Sequence, residues 1–327
     1  MRLEDIGFYT LSDKRAQNLT PYDSMKRCEL IITEYCNFKC PYCRGLDASI
    51  YGNRPQKQLA LPEIKSIIDK WCDHGPVENI RFSGGEPTLH KHIREIVQYA
   101  KSKGAKRIAI STNGSNKLEL YKQLIVDGVN DYSISLDACC ADVGDKMAGG
   151  VAGAWQVVVD NISALSKLTY VTVGVVLAPE NVGSMVDTII FAHGLGVADI
   201  RIISAAQWNG KLIDLNRIPD HILEVHPILK YRVERLASGL PLRGIGEQDS
   251  HKCPLVLDDA VVAGNYHFPC VIYMRERGAA IGSVGDNMRS ERIAWYKRHD
   301  THTDNICKRN CLDVCVAYCN KANGVVI

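Results

Sequence analysis

The sequence predicts an α/β protein: a partial (β/α)6 TIM-like barrel followed by a small C-terminal unit. Three observations carry this. Short Ile/Val-rich runs alternate with helical patterns from about residue 28, the alternation repeats six times, and it stops after about Asn209. The strands are expected at 28–33, 79–82, 107–111, 132–136, 170–177 and 199–203. Most lack in/out alternation, as strands covered on both faces should.

Helical patterns fall between them at 61–71, 92–103, 117–126, 154–166 and 182–193. Pro62 suits a first helical turn, and Gly75, Gly104, Gly128 and Gly194 stand where helices should stop. Strand–helix alternation of this kind implies right-handed βαβ units and a parallel sheet, with six repeats rather than the eight of a closed barrel. Pro219, Pro227, Pro241, Pro254 and Pro269 then punctuate the remainder. The expected organisation is an N-terminal extension (1–27), the barrel (28–210) and a smaller unit (211–327).

Of 327 residues, 46% are hydrophobic and 23% charged, which fits one large globular domain with or without an appendage. The net charge of +2 selects no class of partner. Apolar stretches are short and interrupted, so no membrane span is expected. The first residues lack the hydrophobic core of a signal peptide. The cytoplasm is therefore the expected location, that of the host if the gene is phage-encoded.

Thirteen cysteines are the anomaly. In a reducing compartment, clustered cysteines bind metal or perform redox chemistry more often than they form disulfides. Cys36, Cys40 and Cys43 give a C-x3-C-x2-C spacing directly after the first strand. Three thiolates can ligate three irons of a [4Fe–4S] cubane and leave the fourth open, whereas structural zinc normally takes four closed ligands. In the C-terminal unit, Cys253 and Cys270 flank an expected hairpin turning at Gly264-Asn265. Cys307, Cys311, Cys315 and Cys319 recur every four residues. That spacing also suits one face of a helix, but metal binding is the reading taken. Cys28, Cys72, Cys139 and Cys140 are expected as buried apolar filler.

The C-x3-C-x2-C loop, with Tyr42 before its last cysteine, resembles the signature of the radical S-adenosylmethionine (SAM) superfamily. Ser83-Gly84-Gly85-Glu86-Pro87 matches that family's GGEP motif. Ser111-Thr112-Asn113-Gly114, Ser135-Leu136-Asp137 and the Asn181 of Pro179-Glu180-Asn181 follow in order. Singly, each is a turn or a helix cap; in register at successive C-terminal strand ends, they mark an active site. The resemblance covers roughly residues 26–205. It implies that Tyr42, Gly84, Gly85, Glu86, Pro87, Ser111, Asn113, Ser135, Asp137 and Asn181 contact SAM, with the Glu86 carboxylate receiving the ligand's ammonium. It implies a SAM-binding [4Fe–4S] cluster, one-electron cleavage of SAM to a 5′-deoxyadenosyl radical, hydrogen abstraction from substrate, and an electron donor such as flavodoxin or ferredoxin.

The rear cysteines resemble the SPASM and twitch auxiliary-cluster domains of that family. Six are too few for two fully ligated four-iron clusters. One auxiliary [4Fe–4S] cluster is expected, with Cys253 and Cys270 as two ligands and the other two drawn from the final four. A cysteine left over, Cys319 or Cys307, could return a hydrogen atom to a substrate radical, as could Tyr318 or Tyr273. Three substrate classes fit: a peptide, as for SPASM maturases; a small molecule, as for aminoglycoside or nucleoside-antibiotic enzymes; or a modified nucleotide in DNA. The opening Leu3–Thr10 resembles phage enzymes that rearrange amino-acid-modified thymidine. Arg289, Arg292, Lys297, Arg298, Lys308 and Arg309 form a basic run that could neutralise phosphates, although a solvated face is the plainer reading. A non-catalytic iron–sulfur electron carrier has no use for the motifs at 84–87 and 111–114.

Overall fold

The computed structural model describes residues 16, 19–44, 57–73, 75–205, 215 and 217–322. The opening segment likened to phage enzymes lies outside them. The strands are β1 (Arg27–Thr33), β2 (Asn79–Gly84), β3 (Arg107–Thr112), β4 (Asp131–Ser135), β5 (Tyr170–Leu177) and β6 (Asp199–Ser204). All five neighbouring pairs run in parallel, each expected strand lying within a residue or two of its place. The crossovers carry α1 (Leu61–Cys72), α2 (Ile93–Ser102), α3 (Leu118–Asp127), α4 (Ala141–Met147), α5 (Ala154–Leu165) and α6 (Met185–Gly194).

One strand face is buried against these helices. Leu30, Phe82, Ile110, Ile134, Val173 and Ile202 are fully buried there and form the main core with Ile64, Ile96 and Ile189. Removing that apolar area from water at roughly 25 cal/mol per Å2 is the principal stabilisation. Helix α6 stops one residue later than expected: Gly194 is its last residue, and Gly196 takes the positive φ of 77°. Of the four scattered cysteines, Cys28 is buried as expected. Cys72 and Cys139 are half-buried and Cys140 is exposed, because they sit at helix ends and connections rather than on the core face.

After α7 (Asp220–Val225) and α8 (Pro227–Ala237) the chain returns to the sheet. β7 (Asp259–Ala263) pairs parallel to β1 on the edge away from β2, and β8 (Tyr266–Phe268) and β9 (Gly282–Ser283) extend it antiparallel. The sheet order is therefore β6-β5-β4-β3-β2-β1-β7-β8-β9. The boundary expected at 210/211 does not divide this sheet, and Ala260 and Val262 belong to the main core. The β7–β8 hairpin turns at Gly264-Asn265 as anticipated. Gly264 has φ 60° at the first central position, where a type II′ turn requires glycine.

A second, smaller core lies under α10 (Met288–Arg298) and α12 (Asp313–Lys321), with Leu255, Val256, Leu257, Trp295 and Tyr318. Arg292 of α10 joins the two parts. It is fully buried and donates to the carbonyls of Val256 (2.7 Å), Asp259 (2.5 Å) and Phe268 (3.1 Å). Arg289 donates to the carbonyls of Leu257 and Thr20. Two members of the basic run are thus occupied with backbone oxygens, which leaves Lys297, Arg298, Lys308 and Arg309 to any phosphate contact. Among the described residues no helix is long and apolar enough to cross a membrane.

At the far end of the sheet, Asp199 opens β6 and receives the amides of Ile228 (3.0 Å) and Leu229 (3.4 Å) at the start of α8. Burial pushes its carboxyl up to about 6 from the ordinary 3.8, against the pull of those donors. A raised carboxyl contributes its stability fully below the unfolded value and loses it as pH rises through the folded one. The stability difference between Asp199→Asn and the parent should therefore shift in favour of the variant between about pH 4 and 6 and be flat above about 7. Thermal unfolding of both proteins across that range checks it; a difference independent of pH would contradict it.

Candidate functional site

The three front cysteines lie on the loop that leaves the C-terminal end of β1, all partly exposed and free of disulfides. A turn closes the loop between them, with the Cys43 amide donating to the Cys40 carbonyl at 2.9 Å. The Lys39 amide ties its middle to the Ala148 carbonyl (3.1 Å) after α4.

Gly84 and Gly85 make this possible. The Gly85 and Glu86 amides donate to the carbonyls of Thr33 (2.8 Å) and Tyr35 (2.7 Å). A Cβ on Gly84 would lie 2.0 Å from the Thr33 oxygen, and one on Gly85 2.3 Å from the Tyr35 oxygen. These glycines therefore admit the backbone that leads into the cysteines.

Glu86 is fully buried, and its oxygens accept from the Thr88 amide (3.0 Å), the Thr88 hydroxyl (2.6 Å), the Thr112 hydroxyl (2.7 Å) and the Asn113 amide (2.7 Å). Burial raises its carboxyl and these donors pull it back. These donors make it a bracket between the ends of β2 and β3. Pro87 begins the short turn that follows and is buried. Thr112, part of the Ser111–Gly114 motif, completes the bracket with Thr88, which the sequence does not single out because a lone threonine carries no spacing signal.

Asn113 faces the cysteine loop, its side-chain amide 2.9 Å from the Asn37 oxygen and 3.8 Å from the Cys36 sulfur. Tyr42 donates its hydroxyl to Asp137, whose other oxygen accepts the Val176 amide at 2.8 Å. Burial pushes the Asp137 carboxyl up to about 6, despite those two donors. Asn181 is buried, and its amide donates to the carbonyls of Asp137 (3.0 Å) and Val176 (2.8 Å). It braces the β4 and β5 ends. Ser135 is exposed at the end of β4, and Ser111 accepts from Arg81 at 3.3 Å. The structure therefore gathers Cys36, Cys40, Cys43, Tyr42, Gly84, Gly85, Asn113, Ser135 and Asp137 around the C-terminal edge of the parallel strands.

The six rear cysteines converge. Cys307 lies in α11 (Asn305–Asn310), Cys311 follows its end, and Cys315 and Cys319 lie in α12, so two helices rather than one carry the four-residue repeat. With Cys253 and Cys270 they line one cavity with otherwise mostly apolar walls that include Leu255, Ile272, Ile306 and Val316. The Cys253 and Cys319 sulfurs are 3.9 Å apart, and the Tyr273 amide donates to the Cys270 sulfur at 3.4 Å. Burial pushes the Cys270 thiol up to about 12.

Six converging sulfurs are more than enough for one four-iron cluster, so the donor set fits that group. Cys307 stands nearest a different donor, with His299 Nε2 3.5 Å from its sulfur and Asp304 beside both. Of the hydrogen-donor candidates, Cys319 and Cys307 line this cavity, and Tyr273 lines it with its hydroxyl on Asp304 at 3.0 Å. Tyr318 does not: it is buried in the second core with the Arg27 guanidinium 5.3 Å over its ring. The front and rear parts meet where Arg44, directly after Cys43, pairs with Glu276 after α9 (Val271–Arg275).

Known proteins share both the sequence pattern and the fold. The model of the "Radical SAM superfamily" matches residues 30–192. A GTP 3′,8-cyclase of Vibrio parahaemolyticus is 34% identical over 110 residues, 33% of each chain, so this chain spans only a third of that relative. The GTP 3′,8-cyclase of Lactiplantibacillus plantarum is 28% identical over 249 residues, covering 71% of this chain and 70% of its own. Among solved structures, SuiB of Streptococcus suis bound to S-adenosylmethionine superposes with a TM-score of 0.60 at 15% identity, covering 86% of this chain and 67% of that one. Native anSMEcpe with bound AdoMet gives 0.58 at 15% identity, covering 86% and 82%. Both likenesses concern the fold.

Because a Cβ on Gly85 would lie 2.3 Å from the Tyr35 oxygen and 2.6 Å from the Glu34 oxygen, Gly85→Ala should displace the cysteine loop. Iron analysis after anaerobic reconstitution should show about four fewer irons per chain than the parent, with the rear site still loaded. Unchanged iron content would show that the close approach is dispensable.

Proposed function

The chain belongs to the radical SAM superfamily, and on that premise we propose that it is an enzyme that reductively cleaves S-adenosylmethionine and abstracts a hydrogen atom from its substrate. The observation that carries this is the cysteine triplet on the β1 loop, set at the C-terminal strand ends beside Asn113 and the Tyr42–Asp137 pair. Active sites of parallel barrels lie at that end. Cys36, Cys40 and Cys43 would hold the cluster, with SAM against Gly84, Gly85, Asn113, Ser135 and Asp137. When bound, cluster and SAM supply a 5′-deoxyadenosyl radical that removes hydrogen from carbon.

The chain's own residues set the position and the surroundings of that chemistry. The Glu86 bracket and the two glycines hold the cysteine loop on the sheet. Asn113 orients Asn37, the residue following Cys36, and Asp137 holds the Tyr42 ring beside Cys43. Four of the six rear cysteines, Cys253 and Cys270 among them, would hold one auxiliary cluster in a cavity whose apolar walls exclude water and stray reductants. Flavodoxin or ferredoxin chemistry would supply the electron.

For the substrate we favour a small molecule or modified nucleotide undergoing isomerisation, epimerisation or rearrangement, amino-acid-modified thymidine in DNA being the specific case. The relatives named GTP 3′,8-cyclase support a nucleotide. The peptide reading rests on a likeness of fold alone.

Anaerobic reconstitution, reduction and addition of SAM should give 5′-deoxyadenosine even without substrate. Its absence would remove the enzyme reading. Cys36→Ala/Cys40→Ala/Cys43→Ala should abolish that product while retaining about four irons per chain; about eight would mean two rear clusters.

A further inference from the structure

The strand face turned away from the helices is polar where the other is apolar. Glu29, Arg81, Ser111, Ser133, Gly174 and Arg201 occupy it at alternating positions, and all stay partly accessible. Two guanidiniums converge there from different strands. Arg81 of β2 donates to Ser111 at 3.3 Å, and Arg201 of β6 donates to Ser133. Ser111 and Ser133 are register partners on β3 and β4, so both arginines reach one point near the middle of the sheet.

Among the described residues neither arginine has a carboxylate within ion-pair distance. Glu29 stands register-opposite Arg81, yet its carboxylate accepts from Ser83 at 2.6 Å. Arg107 and Asp131, by contrast, pair with each other lower on the same face. Arg201 also keeps a buried Nε with no hydrogen-bond partner among the described residues, a costly arrangement for a guanidinium. Burial pushes this group down to about 10, with the charge of Arg81 as the next cause. Beside it, Gly174 leaves room: a Cβ there would meet nothing nearer than the Ile134 carbonyl at 3.9 Å.

We infer that Arg81 and Arg201 form a subsite for an oxyanion of the substrate, a phosphate or a carboxylate, held on the inner face of the sheet. Guanidinium forks match the geometry of either group and favour it over neutral ligands. Ser111 lies two residues before Asn113 on the same strand path, so the anion would sit about 7 Å deeper than the cysteine loop. The substrate would then be fixed at its charged end, with another part reaching up to the reacting centre. This rests on the proposed function for the identity of that centre, but the anion site is testable without it.

The experiment is equilibrium dialysis of radiolabelled orthophosphate and, separately, acetate against the anaerobically reconstituted full chain, with SAM affinity measured on the same preparations. One anion should bind per chain, at least tenfold more weakly in Arg201→Gln and in Gly174→Leu, with partial recovery in Arg201→Lys. Preference for phosphate would identify a phosphorylated substrate and preference for acetate a carboxylate. Circular dichroism identifies a variant that fails to fold, and Gly174→Leu, whose side chain enters open space, keeps the test valid if Arg201→Gln does so. Binding of neither anion, or equal binding in the parent and both folded variants, would overturn the subsite. Failure of the parent to bind SAM would instead count against the proposed function and leave the anion result standing.

Discussion

The arrangement of the front site depends on one constraint: the backbone entering the cysteine loop must lie directly on the end of β2. Two glycines without Cβ atoms let Thr33 and Tyr35 approach within hydrogen-bond distance of Gly85 and Glu86. The Glu86 carboxylate then locks β2 to β3 through the Thr112 hydroxyl and the Asn113 amide, and holds its own turn through two donors of Thr88. A buried carboxylate is tolerated only when its lone pairs are met, and here they are met by groups whose positions define the opening. Asn113, one of those donors, turns its side chain onto Asn37 and Cys36. The bracket and the cysteine loop are therefore one mechanical unit.

The rear part is attached through the same strand. β1 pairs with β2 on one edge and β7 on the other, so the strand that delivers the front cysteines also seats the hairpin between Cys253 and Cys270. Arg292 reinforces the joint by meeting three carbonyls around that hairpin, and Arg44–Glu276 links the two cysteine regions directly. The rear thiols lie among apolar side chains, and burial pushes most of them up from their ordinary range. Metal binding must therefore displace protons, and its free energy becomes part of the stability of this small core.

Much of the fold is legible in the amino-acid sequence. Strand positions follow from short Ile/Val-rich runs between helical patterns, and the II′ hairpin from Gly264-Asn265, because each depends on residues adjacent in the chain. The roles of Glu86, Asn181 and Tyr318 are not legible there. Whether a polar side chain meets a ligand or a neighbour depends on donors and acceptors brought from other strands: Thr112 for Glu86, the Asp137 carbonyl for Asn181, Arg27 for Tyr318. The basic run likewise loses Arg289 and Arg292 to carbonyls more than thirty residues away.

By itself the sequence determined the parallel α/β order, the cysteine triplet after the first strand and the presence of a second thiol-rich region. These follow from local periodicity and from spacing, which survive any arrangement of the rest. Only the tertiary structure decided that six distant cysteines share one cavity, that the rear hairpin continues the main sheet, and that Arg81 and Arg201 meet on its inner face. Strand register and long-range packing set those distances, and neither is written in the spacing of any single segment.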